Sequence, residues 1–139
     1  MKLVLDTNIV MDVFLKRKPH HEAGDGLFAA VERGICQGLI CATSVTTVYY
    51  LAEKLRSSRE AHIQVRRLLS LFQIAPVNTQ VLSEAINLDF HDFEDAVVCQ
   101  AALSSGADAI VTRDPKGFRK SPIPVYDPEN ALAMILEDA

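Results

Sequence analysis

The chain predicts an α/β fold with a central, mostly parallel sheet covered by helices, and three observations carry that reading. Short apolar runs alternate with segments of helical periodicity along the whole sequence, the pattern of a parallel sheet built from strand–helix units. The first run, Leu3-Val4-Leu5, ends directly on a carboxylate, Asp6. Further acids, Asp92 with Asp95 and Asp114, also fall at strand ends or helix starts, the edge at which open α/β folds bind ligands.

The elements follow in order. Residues 2–5 read as the first strand, and residues 8–15 as a helix with Ile9, Val13 and Phe14 at helical spacing. That helix stops before Lys18-Pro19, because the residue preceding a proline is pushed out of the helical region. A second helix fits residues 20–33 and ends at Gly34, and residues 39–42 form a buried strand. Ser44 is the expected N-cap of a helix whose inner face is Val48, Leu51, Ala52 and Leu55. A helix over 59–71 leads to a strand at 72–75, which Pro76 ends. Asn78 or Thr79 then caps a helix carrying Val81, Leu82, Ala85 and Ile86. From Phe93 to Ser105 the pattern is helical and rich in small residues, and Gly106 closes it. Residues 109–111 are a short strand and residues 112–117 a loop. Pro124-Val125-Tyr126 is an edge strand, where proline is tolerated, and the last helix starts at Asp127-Pro128.

Composition bounds the function. With 139 residues, 49% of them hydrophobic and 23% charged, the chain supports one core, and a single domain over 1–139 is expected. No stretch approaches the roughly 18 consecutive apolar residues of a membrane span, so the expectation is a soluble, cytoplasmic protein. Cys36, Cys41 and Cys99 lie in apolar runs without metal-binding spacing, which fits buried small hydrophobes. The net charge of −4 does not itself favour nucleic acid. Local bases do offer phosphate contacts: Lys116, Arg119 and Lys120 after Asp114, and Arg56, Arg59, Arg66 and Arg67 along one central stretch.

Each acid has an ordinary structural alternative. Asp6 fits a helix cap, Asp92 with Asp95 a capping box, and Asp114-Pro115 a turn. Four acids converging on one edge would nevertheless repel unless a cation lay among them. Mg²⁺ or Mn²⁺ suits such an all-oxygen set, and an acid-only site favours phosphoryl chemistry. His20, His21 and His62 lie outside the acidic segments, while His91 adjoins them. A haloacid dehalogenase-type phosphatase needs a second acid two residues after the first, where Asn8 stands. No glycine-rich phosphate loop follows the first strand, which excludes a dinucleotide fold.

The opening Lys2-Leu3-Val4-Leu5-Asp6-Thr7-Asn8, the later Phe93-Glu94-Asp95-Ala96, and Ile110-Val111-Thr112-Arg113-Asp114 with Phe118 together resemble the PIN-domain (PilT N-terminal-like) ribonucleases. That family includes the VapC-type toxins of toxin–antitoxin pairs. The resemblance implies a three-layer α/β/α sandwich and a metal-dependent endoribonuclease acting on single-stranded RNA. It makes Asp6, Asp95 and Asp114 metal ligands, with Asp92 an auxiliary acid. Asn8 and Thr112 become polar groups on the substrate side that orient this shell, and Lys116, Arg119 and Lys120 contacts to the flanking RNA backbone. It further implies a homodimer and an antitoxin that covers the site.

One departure stands out. Many such nucleases carry a glutamate one turn into the helix after the second strand, three residues beyond a Ser or Thr, but here Thr46 and Thr47 are followed at that spacing by Tyr49 and Tyr50. Glu53 lies a further turn along, roughly 5 Å away at about 1.5 Å per residue. Tyr50 is therefore expected at or near the pocket and Glu53 at the surface or in an outer shell. The rival function is a non-catalytic PIN-like module that binds RNA or a protein through the acidic cleft.

Overall fold

The computed structural model describes residues 1–138, among which five strands alternate with seven α-helices. The strand β1 (Lys2–Leu5) is followed by α1 (Thr7–Leu15) and α2 (His21–Glu32), then β2 (Gln37–Cys41), α3 (Ala42–Leu55) and α4 (Ser58–Leu71). Next come β3 (Gln73–Ala75), α5 (Thr79–Ala85), α6 (Phe93–Ser104), β4 (Ala109–Val111), β5 (Val125–Tyr126) and α7 (Pro128–Asp138). Short 3₁₀ turns occupy Ile86–Leu88 and Pro115–Phe118.

Alternation along β1 sets the layers. Leu3 and Leu5 enter one apolar cluster and Val4 the other, all of them buried, because successive strand residues face opposite sides of the sheet. One cluster receives Ile9 of α1, Leu27 and Phe28 of α2, Val48 of α3, Leu68 of α4 and Ile135 of α7. The other receives Val81 and Ala85 of α5 and the alanine-rich face of α6. The small side chains of Ala96, Cys99, Ala101 and Ala102 are at most 2% exposed, so α6 lies close against the sheet. The result is the three-layer α/β/α sandwich that the strand–helix alternation and the resemblance imply.

The sheet order is β3-β2-β1-β4-β5, and every pairing is parallel. The chain winds outward from β1 to β3, then crosses back to place β4 on the other side of β1. The ends of β1 and β4 are thus adjacent at a reversal of winding, where an open sheet leaves a crevice. Leu5 pairs with Val111, and Asp6 N donates to Val111 O at 2.9 Å. That register brings Asp6 beside Thr112, and Asp114 two residues further on.

Several local expectations need correction. The second strand begins at Gln37 and ends at Cys41, so Ala42 opens α3 and Ser44 is a buried residue within its first turn rather than its cap. Phe72 is the extended C-cap of α4, not a strand residue. Leu55, Leu82 and Ile86 do not face the core, being 47%, 42% and 71% exposed; α5 ends at Ala85, and the chain tightens into the 3₁₀ turn there. The caps expected at Asn78 and Asp127 form, and Asp6 and Asp92 cap their helices too, each side chain accepting from a backbone N–H of its helix's first turn. The three cysteines are buried and free. Among the described residues no helix is long and apolar enough to cross a membrane.

Candidate active site

Asp6 leaves β1 in extended geometry and caps α1, its Oδ1 accepting from Thr7 N at 2.9 Å. Its Oδ2 accepts from the Thr112 hydroxyl at 2.8 Å. Thr112 is wholly buried, and its Oγ1 also accepts from Asn8 Nδ2 at 3.2 Å and from Asp114 N at 3.0 Å. One hydroxyl therefore ties the ends of β1 and β4 together. A side chain with no exposed surface cannot touch a substrate, so Thr112 is a positioning residue and not a substrate contact. Asn8 also positions this network, its Oδ1 accepting from Arg113 N at 3.2 Å, but it is only half-buried and lines the cleft.

The acids of α6 approach from the other layer. Asp92 caps that helix, accepting from Glu94 N at 2.9 Å rather than forming a reciprocal box with Asp95. Asp95 lies in the first turn and has no hydrogen-bond partner for its carboxyl among the described residues. Its carboxyl is pushed up to about 7, first by burial and then by the charges of Asp6, Asp92, Asp114 and Glu94. Asp6 is raised in the same direction by burial, with Thr112 and Thr7 opposing and Asp114 and Asp92 adding repulsion. The sequence-chosen acids are therefore electrostatically one group.

Gly117 shows how tightly they are drawn. A Cβ there would stand 2.5 Å from Asp95 Oδ2 and 3.8 Å from Asp114 Oδ2, so a side chain at 117 would push the Asp95 carboxylate from its present place. Among the described residues no three carboxyl, imidazole or thiol groups stand close enough together to hold a metal ion by themselves. A magnesium-like ion, which keeps several waters and takes one or two carboxylates directly, fits an open set of this kind. Burial, and after it the repulsion of the neighbouring acids, holds Asp95 near 7, and the repulsive part is what a cation would relieve.

The raised Asp95 carboxyl has a pH signature. Asp95 titrates higher in the folded than in the unfolded chain, where a value of 3.8 is ordinary. The native state therefore binds more protons between about pH 4 and 7, and stability falls as pH rises through that window. In EDTA, the protein should melt at a lower temperature at pH 8 than at pH 5.5, and Asp95→Asn should flatten that difference. An unchanged slope in the Asn variant would refute the cause.

A cleft of about 290 Å³ opens at Asp6 and Asp95, lined also by Asn8, Arg17, Thr47 and Glu94, while Asp92 and Asp114 lie outside its lining. Thr43, Ser44 and Thr47 present the polar face of α3 to it. Tyr50 does not line it, is 59% exposed and lies under Lys54. Glu53 is at the surface, accepting from the Ser58 hydroxyl at 2.7 Å. A second groove of about 550 Å³ lies beside the first, with Lys116, Arg119, Lys120, His91 and Phe90 on its walls and Gly117 between the two. Lys120 is paired there with Asp89 at 2.8 Å.

Sequence reasoning missed Asp12, Arg17 and Arg113. Asp12 is 1% exposed. Arg113 Nε donates to its Oδ2, and Arg113 Nη2 to its Oδ1 at 3.1 Å. Arg17 Nη1 stands 3.5 Å from the same carboxylate. The available signal was an acid inside the apolar stretch Ile9-Val10-Met11-Asp12-Val13, which needs a buried partner.

Residues 2–116 match the sequence model of a family described as PIN domain. The chain belongs to the PIN domain family. A curated relative, ribonuclease VapC1 of Aquifex aeolicus, is 25% identical over 92% of this chain and 91% of its own length. Among solved structures, the PIN fold here is similar to the DNA-bound VapBC of Salmonella typhimurium, with TM-score 0.72 and 21% identity over 92% of this chain and 98% of that one. It is also similar to a toxin–antitoxin complex from Klebsiella pneumoniae, with TM-score 0.68 and 24% identity over 91% and 97%. In this PIN domain the acids lie at the winding reversal, as the strand order requires.

Proposed function

We propose that this PIN domain is a metal-dependent endoribonuclease that hydrolyses phosphodiester bonds in single-stranded RNA, and that it is the toxin of a toxin–antitoxin pair. The observation that carries the reading is the cleft lined by Asp6 and Asp95, with Asp114 close enough for its charge to raise the Asp95 carboxyl. The relative named a ribonuclease and the neighbour titled a toxin–antitoxin complex support it. On this reading 1–139 works as one domain, as a homodimer, in the cytoplasm, with an antitoxin covering the cleft.

Asp6, Asp95 and Asp114 would hold Mg²⁺ or Mn²⁺, with Asp92 an auxiliary acid. The bound ion supplies an activated water and charge neutralisation at a phosphate oxygen. Thr112 and Asn8 fix the Asp6 carboxylate through the hydroxyl-centred network. Lys116, Arg119 and Lys120 hold the flanking backbone in the neighbouring groove.

The test is cleavage of single-stranded RNA by purified protein. Cutting with Mg²⁺ or Mn²⁺ that EDTA stops supports the reading, and cutting that ignores EDTA refutes the metal. RNA affinity without cleavage under any metal would support the second reading, a binding module, which the cleft itself favours in one respect. Its α3 wall offers Thr47, not a further acid, to the cleft that Asp95 lines. Thr47→Glu should therefore raise the apparent Mg²⁺ affinity on the order of tenfold, the scale on which changes around a metal act. A titration of activity against Mg²⁺ reads this, and weaker metal response in the variant would refute the placement of Thr47.

A further inference from the structure

The acidic cleft contains a cation that the carboxylate chemistry leaves unexplained. Arg17 lines the same cavity as Asp6 and Asp95, and its side chain is 40% exposed. Its only ionic neighbour among the described residues is Asp12. Asp12 is already engaged at both oxygens by Arg113, so its charge is matched without Arg17. The second guanidinium is surplus to the buried pair and carries its positive charge to the cleft wall.

The backbone holds Arg17 in place. Lys16 adopts the left-handed conformation at φ 54° and ends α1. Arg17 N then donates to Asp12 O at 3.1 Å, and Arg17 O accepts from His21 N at 2.8 Å. Both main-chain polar groups are thus fixed, and the Asp12 carboxylate restrains the far end of the side chain. A planar fork held in this way matches two oxygens of one phosphate.

Resting on the ribonuclease reading, we propose that Arg17 contacts the scissile phosphate of the RNA, donating to its non-bridging oxygens as charge develops there, with Asp12 as its positioning residue. The carboxylates would hold the ion, and Arg17 belongs to the wall of the same cleft. Charge-matched donors of this kind act mainly in the transition state.

The experiment compares wild type, Arg17→Gln and Arg17→Lys by steady-state cleavage of a single-stranded RNA with Mn²⁺, by thermal melting, and by binding of a 2′-O-methyl RNA at several salt concentrations. Arg17→Gln should melt within a few degrees of wild type, lower kcat by about 10²-fold, and flatten the salt slope of binding by about 0.7. Arg17→Lys should keep the salt slope and still lose several-fold in kcat, because a point charge cannot make the two-oxygen contact. Unchanged kcat in both variants beside an active wild type overturns the proposal and leaves the ribonuclease reading standing. Should Arg17→Gln melt early, Arg17→Lys decides alone, and wild-type kcat in it overturns the proposal. A wild type that cuts no RNA with any divalent ion overturns the reading and the proposal together.

Discussion

Asp6→Asn protein should fold normally and lose more than about a hundredfold in RNA cleavage, since even outer partners of a metal site cost 10- to 100-fold when removed. Asparagine caps helices as well as aspartate does, so Thr7 N keeps its acceptor and α1 keeps its start. The other oxygen becomes an amide facing Thr112, whose Oγ1 already accepts from Asn8 and Asp114 N. That mismatch costs about 1 kcal/mol. It is offset because burial disfavours the Asp6 carboxylate and an amide carries no charge to desolvate. The melting temperature should thus stay within a few degrees while turnover collapses. Undiminished cleavage by the folded variant would sink the assignment of Asp6 as a metal ligand.

The strand pattern was legible because a strand buried on both faces must be apolar throughout, as Leu3, Val4 and Leu5 are. The acids were legible for a related reason: a carboxylate directly after such a strand has no packing role. The α3 wall was harder to read. Counting three residues on from Thr46 and Thr47 puts Tyr49 and Tyr50 at the expected acid's position and sends Tyr50 toward the cleft. With the cap at Cys41, Thr47 takes that place and Tyr50 lies in solvent. Serine is the better cap by propensity, but Ser44 is 3% exposed, and burial of this turn against the cleft prevails over the local preference. The exposed Leu82 and Ile86 were misread for the opposite reason, since helical spacing marks an apolar face without showing whether anything covers it.

The pairing of Asp12 with Arg113 lies beyond any local pattern, because its partners are 101 positions apart. It predicts a large stability effect. Arg113→Ala would leave the Asp12 carboxylate, 1% exposed, with only Arg17 at 3.5 Å. Stranding a buried charge in this way costs about 3 kcal/mol, or roughly 10 °C in Tm for a chain of this size. Asp12→Asn in that background should recover part of the loss, because it removes the stranded charge and leaves a smaller polar group to satisfy. Urea denaturation of the two single variants and the double variant forms the cycle. If the double variant were less stable than Arg113→Ala by the full cost of Asp12→Asn alone, the two residues would be uncoupled. The coupling has a functional side as well. Asp12 sits on α1, one turn beyond Asn8, and Arg113 lies between Thr112 and Asp114. The same pair therefore clamps the β4 loop to the helix that Asp6 caps, so Arg113→Ala should loosen Asp114 relative to Asp6 and lower cleavage even at temperatures where the variant remains folded.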